Sequence, residues 1–173
     1  MKCHNPAGGS SLGLETAQLN RMLQGQNQID ALAARSLFEV APAKPYAAGY
    51  VTPYKDQAGE PPASASVETR ARSYLHANCG FCHRPDGDLP NLDLRYTIGF
   101  KETALCGTEP AKGDVGVPTA KNLTPGQPMQ SITWLRMAAK MGEGRMPQIG
   151  TVRVDEAGLA LIGDWIRSIQ ACP

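Results

Sequence analysis

The chain has 173 residues, a length that suits one modest domain with additional segments or two small domains. It carries 17 Lys and Arg against 16 Asp and Glu, so the chain has almost no net positive charge. Its composition therefore gives no indication that it binds nucleic acid or an anionic membrane. No apolar run approaches the length of a bilayer span, and we therefore expect no transmembrane segment.

The first two segments of the chain differ in composition from the rest. Residues 1–41 are predicted to form a loop and then short helices in "GLETAQLNRML" and "NQIDALAARSLF", where apolar residues recur at helical spacing. Residues 42–65 are rich in proline, which prevents a regular helix and indicates an extended linker. Residues 66–173 are predicted to form the main domain.

The main domain begins and ends with a predicted helix. Ser66 is a favourable N-cap for a helix that runs to "CGFCHRPDG", where glycine and proline interrupt it. Further along, "MQSITWLRMAAKM" predicts a second helix and "GEGRMPQIG" a loop, and Asp155 caps a final helix in "VDEAGLALIGDWIRSIQAC". Because strand signals are weak throughout, the sequence predicts an all-α fold.

The stretch "CGFCH" places Cys79, Cys82 and His83 in CxxCH spacing. Two thiols separated by two residues can each add to one vinyl group of a haem, and the histidine that follows then supplies the proximal ligand to the iron. Aromatic residues make up only 6% of the chain, so a large flat cofactor would help to fill a core that is poor in rings. The motif therefore predicts one covalently attached c-type haem.

Two other uses of this cysteine pair are open. A redox-active CxxC begins a helix and has a lowered thiol pKa, whereas here a predicted helix precedes the motif. A structural zinc site needs four ligands, and Cys3, His4 and Cys106 would have to supply the remainder because the chain has no second CxxC.

The second axial ligand of a c-type haem is often a methionine downstream of the haem motif. Met146 in "GRMPQIG" is the candidate, because a ligand on a loop can approach the iron from the side opposite the histidine. Met137 and Met141 lie one helical turn apart, a pattern typical of a core, and Met129 is a further rival. His76, one turn before the motif, is interpreted as a surface or capping histidine.

Residues 64–173 resemble a cytochrome c, and in particular the C-terminal part of a family of bacterial cytochrome c-like proteins. The segments that carry the resemblance are, in order, "ARSYLHANCGFCHRPDG", "GDVGV", "LTPGQPMQSITWLRM", "GRMPQIG" and "VDEAGLALIGDWIRSI". The resemblance implies a helical domain around a haem that is attached at Cys79 and Cys82, with His83 and Met146 as axial ligands. It also implies export to the periplasm or cell surface, where such haem is attached.

The start of the chain departs from this family. In the family, a larger strand-rich region leads into a first CxxCH and then a "GLxTxQLNR" stretch, whereas here only Cys3 and His4 of that motif precede "GLETAQLNR". We therefore interpret Cys3 and His4 as an incomplete second haem motif, and residues 1–41 as the remnant of an upstream region. The simplest hypothesis is a fragment, or a mis-assigned start, of a longer dihaem protein whose signal sequence lies upstream.

Cys106 and Cys172 remain once the other cysteines are accounted for. An oxidising compartment, which the resemblance implies, permits a disulfide between them. Such a bond would tie the long middle loop to the end of the last helix. Two free thiols are the alternative.

The sequence predicts an electron-transfer module more than a catalyst. Two strong-field axial ligands leave the iron no vacant site for a substrate, and no catalytic triad, carboxylate pair or phosphate-binding loop is evident. The alternative is a haem domain that serves a peroxidase or a dehydrogenase within a longer protein. The expected partners are redox proteins or an upstream dehydrogenase-like region.

Overall fold

The computed structural model describes residues 4–44, 65–142, 144–148 and 150–173. Cys3 and most of the predicted proline-rich linker, residues 45–64, therefore lie outside the described residues.

The described chain contains both helices and a small sheet. The α-helices are α1 Thr16–Leu19, α2 Gln28–Ala33, α3 Val67–Cys79, α4 Ile132–Ala138 and α5 Glu156–Ser168. The strands are β1 Met22–Leu23 and β2 Gln26–Asn27, and two short 3-10 helices cover Lys101–Thr103 and Pro128–Gln130.

The prediction of an all-α, cytochrome c-like helical domain is wrong. Strands β1 and β2 form a two-stranded antiparallel sheet, and the described chain is only 33% helical. The turn between the strands explains the sheet: Gln24 and Gly25 both have positive φ, 50° and 80°, which is the geometry of a tight hairpin. The helix predicted in "GLETAQLNRML" therefore ends at Leu19, and the chain reverses direction a few residues later.

Most of the chain between α3 and α4 is irregular but well bonded. Asn122 Nδ2 donates to the Glu109 carbonyl at 3.1 Å, and Ser131 Oγ donates to the Gln127 carbonyl at 2.8 Å. Ser131 Oγ also accepts from the Thr124 N–H at 2.9 Å. These side chains take the place of a helix or a sheet in satisfying buried backbone groups, which is why a long loop can line a core.

The two longest helices begin where the sequence predicts. Ser66 Oγ accepts from the Thr69 N–H at 3.1 Å at the start of α3, and Asp155 Oδ1 accepts from the Gly158 N–H at 2.9 Å at the start of α5. Each bond satisfies one of the backbone donors that a helix start leaves without a partner.

Helices α3 and α5 pack against each other and form the centre of the core. Ala71 and Leu75 of α3 belong to the same buried cluster as Ile162, Trp165 and Ile166 of α5. The loop that follows α3 closes this cluster from one side with three buried residues and a ring: Leu94, Leu105, Leu123 and Phe100. The Phe100 and Trp165 ring centroids are 5.1 Å apart.

Tyr74 fixes how α3 and α5 meet. Its ring lies directly over Gly158, where a side chain would overlap it, and its hydroxyl donates to Asp155 Oδ2 at 3.0 Å. The carboxylate that caps α5 therefore also holds α3, and the missing side chain at Gly158 allows the close approach.

A disulfide joins Cys106 to Cys172, with their Cα atoms 5.5 Å apart. This pair is the one that the sequence analysis put forward. The bond connects the middle loop to the residues after α5, and the Gly126 N–H donates to the Ile166 carbonyl at 2.9 Å as a second connection. With a sequence separation of 66 between its cysteines, the disulfide restrains the unfolded chain by about 4 kcal/mol in the loop-entropy model.

Among the residues that the structure describes, every helix is too short or too polar to cross a bilayer.

We predict that Gly158→Ala lowers the free energy of unfolding by about 1–3 kcal/mol, because the new methyl group overlaps the Tyr74 ring. On an open helix face the same change would raise stability, since alanine favours a helix more than glycine does. Thermal and urea unfolding measure the effect.

Ala160→Gly on the exposed face of α5 is the control, and its loss of about 1 kcal/mol calibrates helix propensity alone. A Gly158→Ala variant that is more stable than the parent would show that the Tyr74 contact does not constrain the helices.

Candidate functional site

The predicted haem motif lies at the C-terminal end of α3, where the chain leaves the helix. Cys79 is the last residue of α3, and its carbonyl accepts from the Cys82 N–H at 3.1 Å and the His83 N–H at 2.9 Å. These bonds wrap the three residues into a tight turn. The core packing of α3 thus fixes the position of the turn.

His83 and Met146 line the same cavity of about 260 Å³, together with Cys79. The wall is largely apolar, and it includes Leu75, Leu89, Leu92, Leu94, Ile132 and Met137. The structure thus brings together three residues that the sequence singled out, although Met146 is far from the other two in the chain. Cys82 lies in the adjoining turn, half-buried.

The His83 side chain lies in surroundings that favour its neutral form. Burial lowers the pKa of its imidazole below the ordinary value, which favours the uncharged form. Its Nδ1 atom is buried and has no hydrogen-bond partner among the described residues. The backbone is fixed, because the His83 carbonyl accepts from the Leu94 N–H at 2.9 Å. Neutral imidazole is the form that binds a metal ion.

Cys79 and Cys82 are thiols that are not part of a disulfide. Burial, and secondarily the neighbouring Cys82, raises the pKa of the Cys79 thiol to about 12. A redox-active CxxC needs the opposite shift and a helix that starts at the motif, so this geometry does not fit one. Nor does the described part of the chain hold a group of three or more His, Cys, Asp and Glu side chains arranged around a metal ion, as a zinc site would require.

Met146 lies on the loop between α4 and α5 and is half-buried. Its backbone N–H donates to the Arg136 carbonyl at 2.9 Å, which ties the loop to the last turn of α4. Two of its rivals are poorly placed, because Met129 is 63% exposed and Met141 is 88% exposed. The core position expected of Met141 is therefore wrong, since α4 ends at Ala138 before reaching it. Met137 lines the cavity but also packs against the core cluster, as predicted for a core residue.

His76 is not the surface or capping residue that the sequence indicated. It is buried, its Nε2 lies 2.7 Å from Glu15 Oε2, and its Nδ1 accepts from the Tyr96 N–H at 3.0 Å. The ring therefore connects α3 to the N-terminal segment and to the loop after the motif. Both nitrogens are engaged in the structure, so His76 is not a rival ligand.

His4 lies outside the cavity. It is exposed, and its Nδ1 lies 2.9 Å from the Ser10 carbonyl oxygen. The segment that follows it contacts the turn after the CxxCH motif, where the Arg84 side chain donates to the Ala7 carbonyl.

Sequence reasoning missed two residues near Met146. Arg136 and Arg145 are both buried, at 8% and 7% exposed, and Arg136 lines the cavity. A charged residue within the apolar stretch "TWLRMAA", and another directly before the methionine in "GRMPQ", were the available signals.

Comparison of the chain with models of protein families, with curated proteins and with solved structures found no match. The functional interpretation therefore depends on the residues and geometry of this chain.

We predict that iodoacetamide alkylates Cys79 slowly in the folded, haem-free chain at pH 8. A thiol pKa of about 12 leaves about a thousandfold less thiolate than the ordinary value of 9.0, and the thiolate is the reactive form. Mass spectrometry of tryptic peptides measures the rate at this residue.

The same chain in urea is the control, since unfolding restores an ordinary thiol. Circular dichroism must first show that the haem-free sample is folded. Equal alkylation rates at Cys79 with and without urea would contradict the raised pKa of this thiol in the folded chain.

Proposed function

We propose that this chain carries one covalently attached c-type haem and transfers electrons through it. The observation that supports the proposal most directly is the shared cavity. His83, from the CxxCH turn, and Met146, from a distant loop, line the same apolar space, with Cys79 at its wall. A nitrogen and a thioether sulfur are the usual pair of axial ligands in an electron-transferring c-type haem.

The residues present fit such a group. Two thiols in one turn, neither of them in a disulfide, would supply the attachment points, and His83 adjoins them as a neutral, buried base. The largely apolar wall is consistent with a cavity that takes a flat apolar cofactor. Cys79 and Cys82 would hold the haem, and His83 and Met146 would ligate its iron.

When bound, the haem supplies a reversible one-electron couple. The chain's own contribution is to hold and insulate that couple. His83 is kept uncharged by burial, so it competes for iron without first losing a proton. The Leu92, Leu94 and Ile132 side chains exclude water from the cavity wall, which favours the less charged redox state. Ligands from both sides would leave no open position for a substrate.

We further propose that the protein acts in an oxidising compartment outside the cytoplasm. The Cys106–Cys172 disulfide supports this location, because such bonds persist mainly in exported proteins. The proposed partners are redox proteins, or a dehydrogenase-like region of a longer parent chain.

We predict that Met146→Ala leaves the haem attached but removes the sixth ligand. The thioether links at Cys79 and Cys82 do not involve Met146, so the intact mass still shows one haem added to the chain and the pyridine haemochrome signal stays unchanged. The ferric spectrum loses its sulfur-to-iron band and its low-spin character at neutral pH.

Met129→Ala is the matched control, because Met129 is exposed and does not line the cavity. If the Met146→Ala spectrum matches that of the parent, another residue is the ligand.

His83→Ala should lower the yield of haem-loaded protein far more than Met146→Ala does, because the proximal ligand adjoins the attachment site. His4→Ala, at an exposed histidine, should leave the yield unchanged. Haem per polypeptide in purified protein measures both. A His83→Ala protein with a full haem complement and an unaltered spectrum would rule out His83 as the proximal ligand.

A further inference from the structure

Two arginines are buried at the loop that carries Met146. Arg136 is 8% exposed and Arg145 is 7% exposed. Arginine is almost never buried without a charged partner, yet within the described residues neither forms an ion pair. Their guanidinium groups donate hydrogen bonds to backbone carbonyls, and these bonds fix the path of the chain.

Arg145 connects the two ends of the loop. Its Nη1 donates to the Ala139 carbonyl at 2.6 Å and the Lys140 carbonyl at 3.2 Å, just after α4. Its Nη2 donates to Thr151 Oγ1 at 3.0 Å and the Arg153 carbonyl at 2.5 Å, just before α5. The methionine that follows Arg145 is thus carried on a loop whose ends are joined by one planar group.

Arg136 fixes the same loop from the α4 side. Its Nη1 donates to the Gly144 carbonyl at 3.2 Å, and its Nη2 donates to the Lys112 carbonyl at 2.7 Å. Its own carbonyl accepts from the Met146 N–H at 2.9 Å. A single residue therefore holds the backbone both at the methionine and two residues before it.

We propose that Arg136 and Arg145 are positioning residues that hold the Met146 sulfur at the cavity. This inference rests on the proposed function. Charge-assisted hydrogen bonds are stronger than neutral ones, and a fork with five donors can bind several carbonyls at once. Lysine keeps the charge but has a single nitrogen, so it cannot join both ends of the loop.

The test is imidazole binding to the haem-loaded ferric protein. Imidazole must displace Met146, so its apparent affinity rises with the fraction of protein whose loop is open. We expect Arg145→Lys and Arg136→Lys each to raise that affinity about tenfold and to weaken the sulfur-to-iron band, while haem content stays unchanged.

Arg72→Lys is the matched control. Arg72 is 7% exposed and donates to the Arg95 carbonyl and the Ile98 carbonyl, but it does not line the cavity. It should lower thermal stability while it leaves imidazole affinity within about twofold of the parent. If Arg145→Lys does not accumulate, Thr151→Val removes one acceptor of Arg145 and should raise imidazole affinity by about two- to threefold.

The outcomes separate this inference from the proposed function. If the parent protein carries no c-type haem, the proposed function is overturned, and the inference with it. If the Met146→Ala variant keeps the sulfur-to-iron band, Met146 is not the ligand, and the inference is overturned as well. A parent with Met146 ligation whose arginine variants bind imidazole no more tightly overturns the positioning role alone. An equal rise in Arg72→Lys also overturns it, because the effect would then be one of general stability.

Discussion

The packing of α3 on α5 is the constraint on which the rest of the structure depends. Gly158 lets the Tyr74 ring reach the α5 backbone, and Asp155 binds the Tyr74 hydroxyl while it caps α5. These contacts fix the two helices against each other, and they thereby fix where the C-terminal end of α3 lies relative to the core. Cys79 and His83 follow from that position, because their turn is bonded to the last residue of the helix.

The other half of the site has no such helical support. Met146 lies on a loop, and the bonds that hold it come from buried guanidinium groups and backbone carbonyls. The disulfide between Cys106 and Cys172 joins the middle loop to the residues after α5 with a covalent bond. Hydrogen bonds from buried side chains and a disulfide thus supplement a small core that has few aromatic residues. The proposed haem would add a further covalent attachment.

Local signals in the sequence were enough for part of this structure. Ser66 and Asp155 cap helices as predicted, because capping depends on residues within one turn. The α3 helix ends at the CxxCH motif as expected from the glycine that follows. The hairpin at Gln24 and Gly25 was missed, since its strands are only two residues long and lack β-branched residues.

Contacts between residues far apart in the chain could not be predicted from the sequence. His76 looked like a surface residue, yet Glu15 and the Tyr96 N–H bind it from segments far away in the chain. Arg136 and Arg145 bind carbonyl groups, which every residue carries, so no sequence pattern identifies their partners. Haem attachment itself stays a prediction, supported by a motif and a cavity.

The most direct test of the central claim is the optical spectrum and intact mass of the protein produced in a host that attaches c-type haem. We expect the mass of the chain plus one haem that stays attached on denaturation, and the ferric spectrum of a low-spin form with a sulfur-to-iron band. A protein of unmodified mass whose Cys79 and Cys82 both react with alkylating agents after unfolding would contradict it.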